Sequence, residues 1–248
     1  MIARREILIG GALAILGGCD CHAAGGYRGC SLSRDAALEY LGDENVFVPG
    51  RDPIVSRSGN KDFDYAAAQT LSRLSDVFDV LPAFAFFKKG PSRNAFAIKD
   101  PIISSVHPDG AVLFGRDLFF EIMSYDEGPD TAFSAICAHE FGHILQYKLD
   151  LMDRLNRGQT TVKRSELHAD FLAGYFAGLR KLEKGKFKAA VYAVTQHKFG
   201  DTNYNDPNHH GTPEERAQAI IRGFKTAYEG RHSVSEAVQI GVNYVLRR

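Results

Sequence analysis

The sequence predicts an α+β domain that is mostly helical, with one small and mainly antiparallel sheet. The chain has 248 residues, of which 44% are hydrophobic and 24% charged, as in globular proteins that bury a core. Apolar residues follow the spacing of one helix face in several long segments. Between residues 83 and 115 the apolar runs are too short for helices and predict strands.

The segments before and within the sheet are bounded by Gly and Pro. Residues 33–41 predict a short helix that ends at Gly42, and residues 61–80 predict a longer one that ends before Pro82. The predicted strands and the helix that follows them are residues 83–87, 94–98, 111–115 and 117–124.

The second half of the chain predicts four helices. Residues 131–149 begin after a Pro-Asp pair, and residues 165–182 follow a polar stretch, 153–164, that predicts a loop. After a second polar loop, a capping box at Thr212 opens one helix, and a Ser-x-x-Glu pattern at Ser233 opens the last. The valines of this last helix are expected to dock on the core.

The N-terminus reads as an export signal over residues 1–18. Two arginines precede an apolar run that is shorter than the roughly 20 residues a membrane span needs. Leu16-Gly17-Gly18-Cys19 resembles a bacterial lipobox, which would make Cys19 a lipidated first residue. A soluble product released near Ala23 is the alternative. The arginine pair fits either a twin-arginine signal or an ordinary basic region.

Export implies a bacterial cell-envelope protein, periplasmic and held to a membrane by its lipid or else soluble. Residues 19–33 then form a Gly- and Ser-rich tether, and residues 34–248 form the domain. In an oxidising compartment Cys21 and Cys30 can close a small disulfide loop. Export, together with equal numbers of basic and acidic residues, 30 of each, disfavours a nucleic-acid partner.

A metal-binding pattern lies inside the predicted helix 131–149. His139-Glu140-Phe141-Gly142-His143 places two imidazoles one turn apart, so both can reach one ion. Glu140 then lies beside the open coordination position, where it can take a proton from a zinc-activated water. The pattern predicts one Zn²⁺ per chain.

The third ligand is expected from the next helix. Glu166 completes a His₂Glu set, and Asp170, one turn later, can accept the free ring N–H of a ligating histidine. His168 competes as a ligand, but it lies about 200° around the helix from Glu166 and would face away. Cys137 lies at a similar angle from His139 and is expected to be a small buried hydrophobe.

These motifs resemble a known family. The HExxH segment with Gln146, then Glu166-Leu167-His168-Ala169-Asp170, then His210-Gly211-Thr212 with Arg216, is similar to the bacterial neutral zinc metallopeptidases of the gluzincin group. Asn94-Ala95-Phe96-Ala97 more distantly resembles a segment of the CAAX prenyl endopeptidase family and its periplasmic relatives. The resemblance covers roughly residues 60 to 225.

The resemblance implies a zincin-like fold, with the sheet beside the active-site helix. It also implies an edge strand, at Asn94, Ala95 and Phe96 or alternatively at residues 112–115, that pairs with an extended peptide. In this sequence Gly211 follows His210, whereas the CAAX relatives have a Pro after the histidine. This difference leaves the substrate class open.

The resemblance also places His210 just before a helix, where it could donate to a developing oxyanion. A surface histidine in a loop is the alternative, and Tyr204 is a weaker candidate donor from the same loop. Arg216 could pair with Asp170.

The sequence thus predicts an exported zinc metallopeptidase, more an endopeptidase than an exopeptidase, that acts on peptides or proteins. The rival hypothesis is a non-catalytic zinc-binding envelope lipoprotein that serves as an adaptor or chaperone. Glu140 favours the enzyme, because a binding protein has no chemical need for a general base.

Overall fold

A computed structural model describes residues 29–42, 46–47, 58–102 and 108–247. The fold is mostly helical α+β, with a small three-stranded sheet. Its elements are α1 (Arg34–Leu41), α2 (Lys61–Phe78), β1 (Ala83–Phe87), β2 (Ala95–Ile98), β3 (Ala111–Gly115), α3 (Arg116–Met123), α4 (Pro129–Lys148), α5 (Met152–Asn156), α6 (Lys163–Glu183), α7 (Ala190–Lys198), α8 (Pro213–Tyr228) and α9 (Val234–Leu246).

The sheet is mixed, so the expectation of a mainly antiparallel sheet is only half right. Its strand order is β1-β3-β2, with β1 parallel and β2 antiparallel to β3. β1 and β2 run in opposite directions. β3 lies between them and runs in the direction of β1. Every residue of the three strands is buried, which is why the runs are continuously apolar rather than alternating.

Helix α4 lies at the centre of the molecule. All of its residues from Thr131 to Tyr147 are buried, as expected of a helix that is apolar on every side. Buried polar groups need hydrogen-bond partners, so the polar side chains on this helix must meet partners from other elements. Helices α2, α6 and α7 and strand β2 pack against it.

Helices α6 and α8 pack closely against each other. A Cβ on Gly174 would lie 2.0 Å from the Ile220 carbonyl oxygen, and one on Gly223 would lie 1.8 Å from that of Phe171. Ala169 lies at the α4 contact, where a Cβ on Gly142 would approach its Cα to 3.2 Å. Glycine thus lets the α6 and α8 backbones touch.

The last residues of the predicted tether belong to the domain. Ser31 forms a parallel bridge with Ala97 on the outer edge of β2, and Cys30 and Leu32 are buried. Residues 1–28, with the predicted signal, Cys19 and Cys21, lie outside the described residues. No helix of the described residues combines the length and apolar character that crossing a bilayer requires.

Candidate metal centre

Helix α4 brings two imidazoles to one point. His139 and His143 are one turn apart and buried, and their Nε2 atoms lie 3.1 Å from each other. Their ring planes are nearly perpendicular, at 89°, so the two nitrogens converge while the rings do not stack. This is the face-sharing that a spacing of four residues on a helix produces.

Helix α6 supplies a carboxylate to the same point from its first turn. Glu166 Oε2 lies 3.2 Å from His139 Nε2 and 3.5 Å from His143 Nε2. Burial alone would raise the pKa of Glu166, but the neighbouring histidines, His143 first, hold it well below its usual range. Glu166 is therefore ionised at neutral pH.

The fourth group is Cys30, which the sequence had suggested for a disulfide loop with Cys21. Its Sγ lies 3.6 Å from Glu166 Oε2, and its backbone N–H donates to Glu166 Oε1 at 3.2 Å. One potential ligand atom from each of Cys30, His139, His143 and Glu166 lies within 4.8 Å of every other. This buried group could hold a metal ion.

The hydrogen bonds of the two histidines determine which ring nitrogen carries the proton, and hence whether the other nitrogen can bind a cation. His139 Nδ1 lies 2.8 Å from Asp170 Oδ1, and His143 Nδ1 lies 2.9 Å from Gln146 Oε1. Both partner oxygens are acceptors, so each Nδ1 must carry the proton. Each Nε2 lone pair then faces the other and Glu166. Such a convergence of acceptors requires a positive charge at its centre.

The separations also fit a four-coordinate ion. Bond lengths of about 2.0–2.1 Å to nitrogen or oxygen and about 2.3 Å to sulfur imply tetrahedral ligand separations of about 3.2–3.6 Å. The imidazole, carboxylate and thiol atoms are separated by 3.1 to 3.6 Å along the measured pairs. The donor set, His₂GluCys, is one that zinc binds.

In the metal-free chain a proton supplies the positive charge. Burial alone would lower the pKa of His139, but the carboxylates of Asp170 and Glu166 outweigh burial and raise it to about 9. A metal ion that binds here displaces that proton, so binding is coupled to proton release.

A buried ion pair holds the first histidine in place. Asp170 accepts from His139 and also from Arg216, whose Nε and Nη2 donate to its two oxygens at 2.8 and 3.0 Å. Burial would raise the pKa of Asp170, but Arg216 and then His139 hold it low. Arg216 also donates to the Phe199 carbonyl at 3.1 Å. Helix α8 is thereby tied to the metal ligand.

A second series of hydrogen bonds, which was not predicted from the sequence, holds His143. Gln146 accepts from His143, while its amide donates to His168 Nδ1 at 3.0 Å and to the Ser165 carbonyl at 2.8 Å. His168 Nε2 then donates to the Val238 carbonyl of α9 at 3.2 Å. His168 lies outside the ligand group, as its helix angle predicts. Gln146, one turn after His143, is the residue from which these hydrogen bonds could have been predicted.

Glu140 lies beside the ligand group and is only 2% exposed. Its Oε2 is buried and has no hydrogen-bond partner among the described residues. Burial raises the pKa of this carboxyl to about 7, because the opposing pull of the two histidines is weaker than the loss of solvation. A carboxyl with this pKa can accept and return a proton near neutral pH.

A narrow cleft opens at the ligand group and also reaches β2 and α8. Asn94, Ala95, Cys30, Glu140 and His210 line part of it. The cleft connects the metal group, the unpartnered carboxylate and the sheet edge.

His210 is a buried residue of this cleft rather than a surface histidine. It is 6% exposed, its backbone N–H donates to Asp201 Oδ2 at 3.1 Å, and its Nε2 has no partner among the described residues. Burial first, and then Arg216 and His139, lower its pKa even though Glu166 opposes them, so its ring is neutral at pH 7. Tyr204 is 61% exposed and packs on His209 instead, which does not favour it as a donor.

The strand residues predicted to align a peptide do not all turn their main chain to the same side of β2. Ala97 donates its N–H to the Cys30 carbonyl and accepts from the Leu32 N–H, so its main chain faces the outer edge of β2. By alternation Ala95 also faces outward, but its N–H already donates to Asn94 Oδ1 at 2.9 Å. Asn94, whose carbonyl accepts from the Gly115 N–H, turns its main chain to β3, and by alternation so does Phe96. The alternative strand, residues 112–115, is β3, which is paired on both sides and cannot add a peptide. Cys137 is fully buried in the core, as expected.

Compared with known proteins, the chain matches no protein-family model, no curated protein and no solved structure. The fold class and the candidate site therefore rest on the structure of this chain alone. The chain forms a mostly helical α+β domain whose central helix presents a buried group able to hold a metal ion.

Proposed function

We propose that the chain is an exported zinc metallopeptidase, of the gluzincin type, that hydrolyses bonds within peptides or proteins. The observation that carries the proposal is the Glu140 carboxylate, whose Oε2 is buried and unpartnered beside two histidines and a glutamate that fit a tetrahedral ion. Unsatisfied buried carboxylates are costly, and they persist where they perform chemistry.

Zinc is the metal that this set of nitrogen, oxygen and sulfur donors favours. His139, His143 and Glu166 would hold it, and Asp170 and Gln146 orient the histidines. When bound, the ion supplies a Lewis acid and lowers the pKa of a nearby water.

The protein's own groups perform the proton transfers and the positioning. Glu140 accepts the proton of the attacking water at its free Oε2 and returns a proton to the leaving amine. His210, neutral and with a free Nε2, can donate to the developing oxyanion when it carries its proton there. The outward carbonyl of Ala95 can accept from an extended peptide, whereas its N–H already donates to Asn94 Oδ1 at 2.9 Å.

A second candidate function has its own support. Structural zinc sites are closed by four protein ligands, whereas catalytic sites keep one position for water. The approach of Cys30 favours a closed site and hence a non-catalytic zinc-binding protein. Glu140 argues for the enzyme, because a closed structural site gains nothing from a free carboxylate.

The test is the Glu140→Gln variant, compared with the wild-type chain and with Cys30→Ala and its Glu140→Gln double variant, so that a ligated cysteine does not mask activity. The amide is nearly isosteric but cannot accept the proton, so casein cleavage should fall about 10²–10⁴-fold while zinc content is unchanged. Equal cleavage with and without Glu140 would reject the mechanism. A zinc-loaded Cys30→Ala chain that cleaves no member of a broad peptide library would support the binding protein.

We also propose that the mature chain lies in the bacterial cell envelope and is anchored by lipid at Cys19. The support is the lipobox after the apolar run. Mass spectrometry of the membrane-extracted protein should show glyceryl and acyl groups on a chain that begins at Cys19. A soluble chain that begins after Ala23 would reject the anchor but not the enzyme.

A further inference from the structure

We infer that residues 29–32 are a built-in inhibitory segment, in which Cys30 is the fourth ligand of the metal. The ligation rests on the metal centre alone, whereas the inhibition rests on the proposed peptidase function. In this state the Cys30 sulfur takes the coordination position that the attacking water needs, and the segment takes the strand edge that a peptide needs.

The thiol is already in ligand position. Cys30 Sγ and Glu166 Oε2 are 3.6 Å apart, close to the separation of about 3.5 Å expected for sulfur and oxygen on one tetrahedral zinc ion. Cys30 is 7% exposed, so the sulfur lies inside the site rather than at its mouth. Zinc binding replaces the S–H proton, and the thiolate is the form that ligates.

The main chain of the segment occupies the outward backbone groups of Ala97 on β2. Ala97 donates to the Cys30 carbonyl at 2.9 Å and accepts from the Leu32 N–H at 3.3 Å. These are the bonds through which an added peptide strand is held. A substrate and this segment would compete for the same backbone groups.

Three further contacts hold the segment against different elements. Gly29 donates to the Asn208 side chain at 3.1 Å, Cys30 donates to Glu166, and Tyr147 donates to the Ser31 hydroxyl at 2.8 Å. Gly29 has φ +66°, and a Cβ there would lie 2.3 Å from Glu166 Oε1. A glycine is therefore required for the chain to pass so close to the metal ligand.

Release is a ligand exchange that needs no oxidant or reductant. The bond between metal and sulfur breaks, a water molecule takes the vacated position, and the thiolate takes a proton from solvent. A reagent that alkylates the thiolate, with loss of its halide, would hold the segment out of the site.

X-ray absorption at the zinc edge of the full-length, zinc-loaded chain tests the ligation directly. Wild type should show one sulfur neighbour at about 2.3 Å, which Cys30→Ala loses and the matched control Cys137→Ala keeps. Iodoacetamide should label Cys30 at least tenfold faster after chelation of the zinc. A wild-type spectrum without sulfur, or labelling that chelation does not change, would overturn the ligation.

Cleavage of casein tests the inhibition. Cys30→Ala should cleave at least tenfold faster than wild type and Cys137→Ala, and Cys30→Ala/Glu140→Gln should not cleave. Asn208→Ala keeps the thiol but loosens its clamp, and should give intermediate labelling and intermediate cleavage even if Cys30→Ala folds poorly. If wild type and Cys30→Ala cleave equally, the inhibition is wrong and the peptidase stands. If no zinc-loaded variant cleaves, the proposed function fails while the sulfur measurement still decides the ligation.

Discussion

Each histidine of the candidate metal group is held by one specific partner, and the two partners differ in kind. His139 is held by an ionised aspartate that is itself clamped by Arg216, whereas His143 is held by the neutral amide of Gln146. The carboxylate raises the basicity of its imidazole, while the amide fixes orientation without adding charge. Together they present both Nε2 lone pairs to one point.

Removal of the Asp170 charge should weaken the metal site without dismantling it. Asp170→Asn keeps the shape but lowers the basicity of His139 and unbalances Arg216, so zinc affinity should fall about 10–100-fold. Competition with a chromophoric chelator measures the affinity. Asp153→Asn, an exposed carboxylate, is the matched control, and equal affinities in the two variants would contradict the role of Asp170.

Glu166 should matter more to zinc than His168 does. Glu166→Ala removes a ligand, whereas His168→Ala removes only the residue that supports Gln146. Zinc content after dialysis should therefore fall further in Glu166→Ala. The reverse order would make His168 the third ligand.

The ligand positions on helices could be predicted from the sequence because helix geometry fixes them. His139 and His143 share a face by spacing, and the angle between Glu166 and His168 separates ligand from support. Cys30 could not be predicted, because it lies 136 residues from Glu166 and no local pattern encodes that contact. Phe96 was misassigned because strand direction, and so the outward main chain, depends on the pairing partner.

The helix pair α6 and α8 is the rigid frame behind the metal group. α6 carries Glu166 and Asp170, and α8 carries Arg216, which bridges the two helices across the site. Their backbones touch at Gly174 and Gly223. Close packing at these glycines is what keeps the ion pair within hydrogen-bond distance.

A side chain at Gly223 should force these helices apart. In Gly223→Ala the new Cβ would lie 1.8 Å from the Phe171 carbonyl oxygen, so the free energy of unfolding should fall by about 3 kcal/mol. Gly185→Ala, which meets no atom within 4 Å, should change it by no more than about 0.5 kcal/mol. Urea denaturation followed by circular dichroism compares them. Similar losses would contradict the close approach.

Most elements could be predicted from periodicity and end signals, and the misses have local causes. The three strands and the capped helices α8 and α9 match expectation to within one residue at the ends predicted for them. Helix α5 is five residues long in a polar stretch, too short for periodicity to reveal. Helix α7, which carries no sequence prediction, is anchored by Tyr192, whose hydroxyl lies 2.6 Å from that of Ser134 on α4.

At the scale of the whole molecule, the metal group joins parts of the chain that are far apart in sequence. Cys30 comes from the N-terminal segment, the histidines from α4 and Glu166 from α6, while the supporting bonds reach α8 and α9. A ligand that binds only the folded arrangement stabilises all of it. A metal ion bound to this group would therefore raise the stability of the whole fold.

Zinc should raise the melting temperature of the chain. At free zinc 100-fold above its Kd the stabilisation is about 2.7 kcal/mol, which corresponds to about 5–10 °C for a domain of this size. Calorimetry with and without a chelator measures the difference. The His139→Ala/His143→Ala double variant should melt at the same temperature in both conditions, and a wild type that does likewise would contradict the coupling.

The most direct test of the metal centre is elemental analysis of the purified full-length chain after exhaustive dialysis. Two imidazole lone pairs, an ionised carboxylate and a thiol meet within one buried group, so we expect one zinc per chain in wild type and close to none in His139→Ala/His143→Ala. A wild-type content near zero, or equal zinc in the double variant, would contradict the account at its centre.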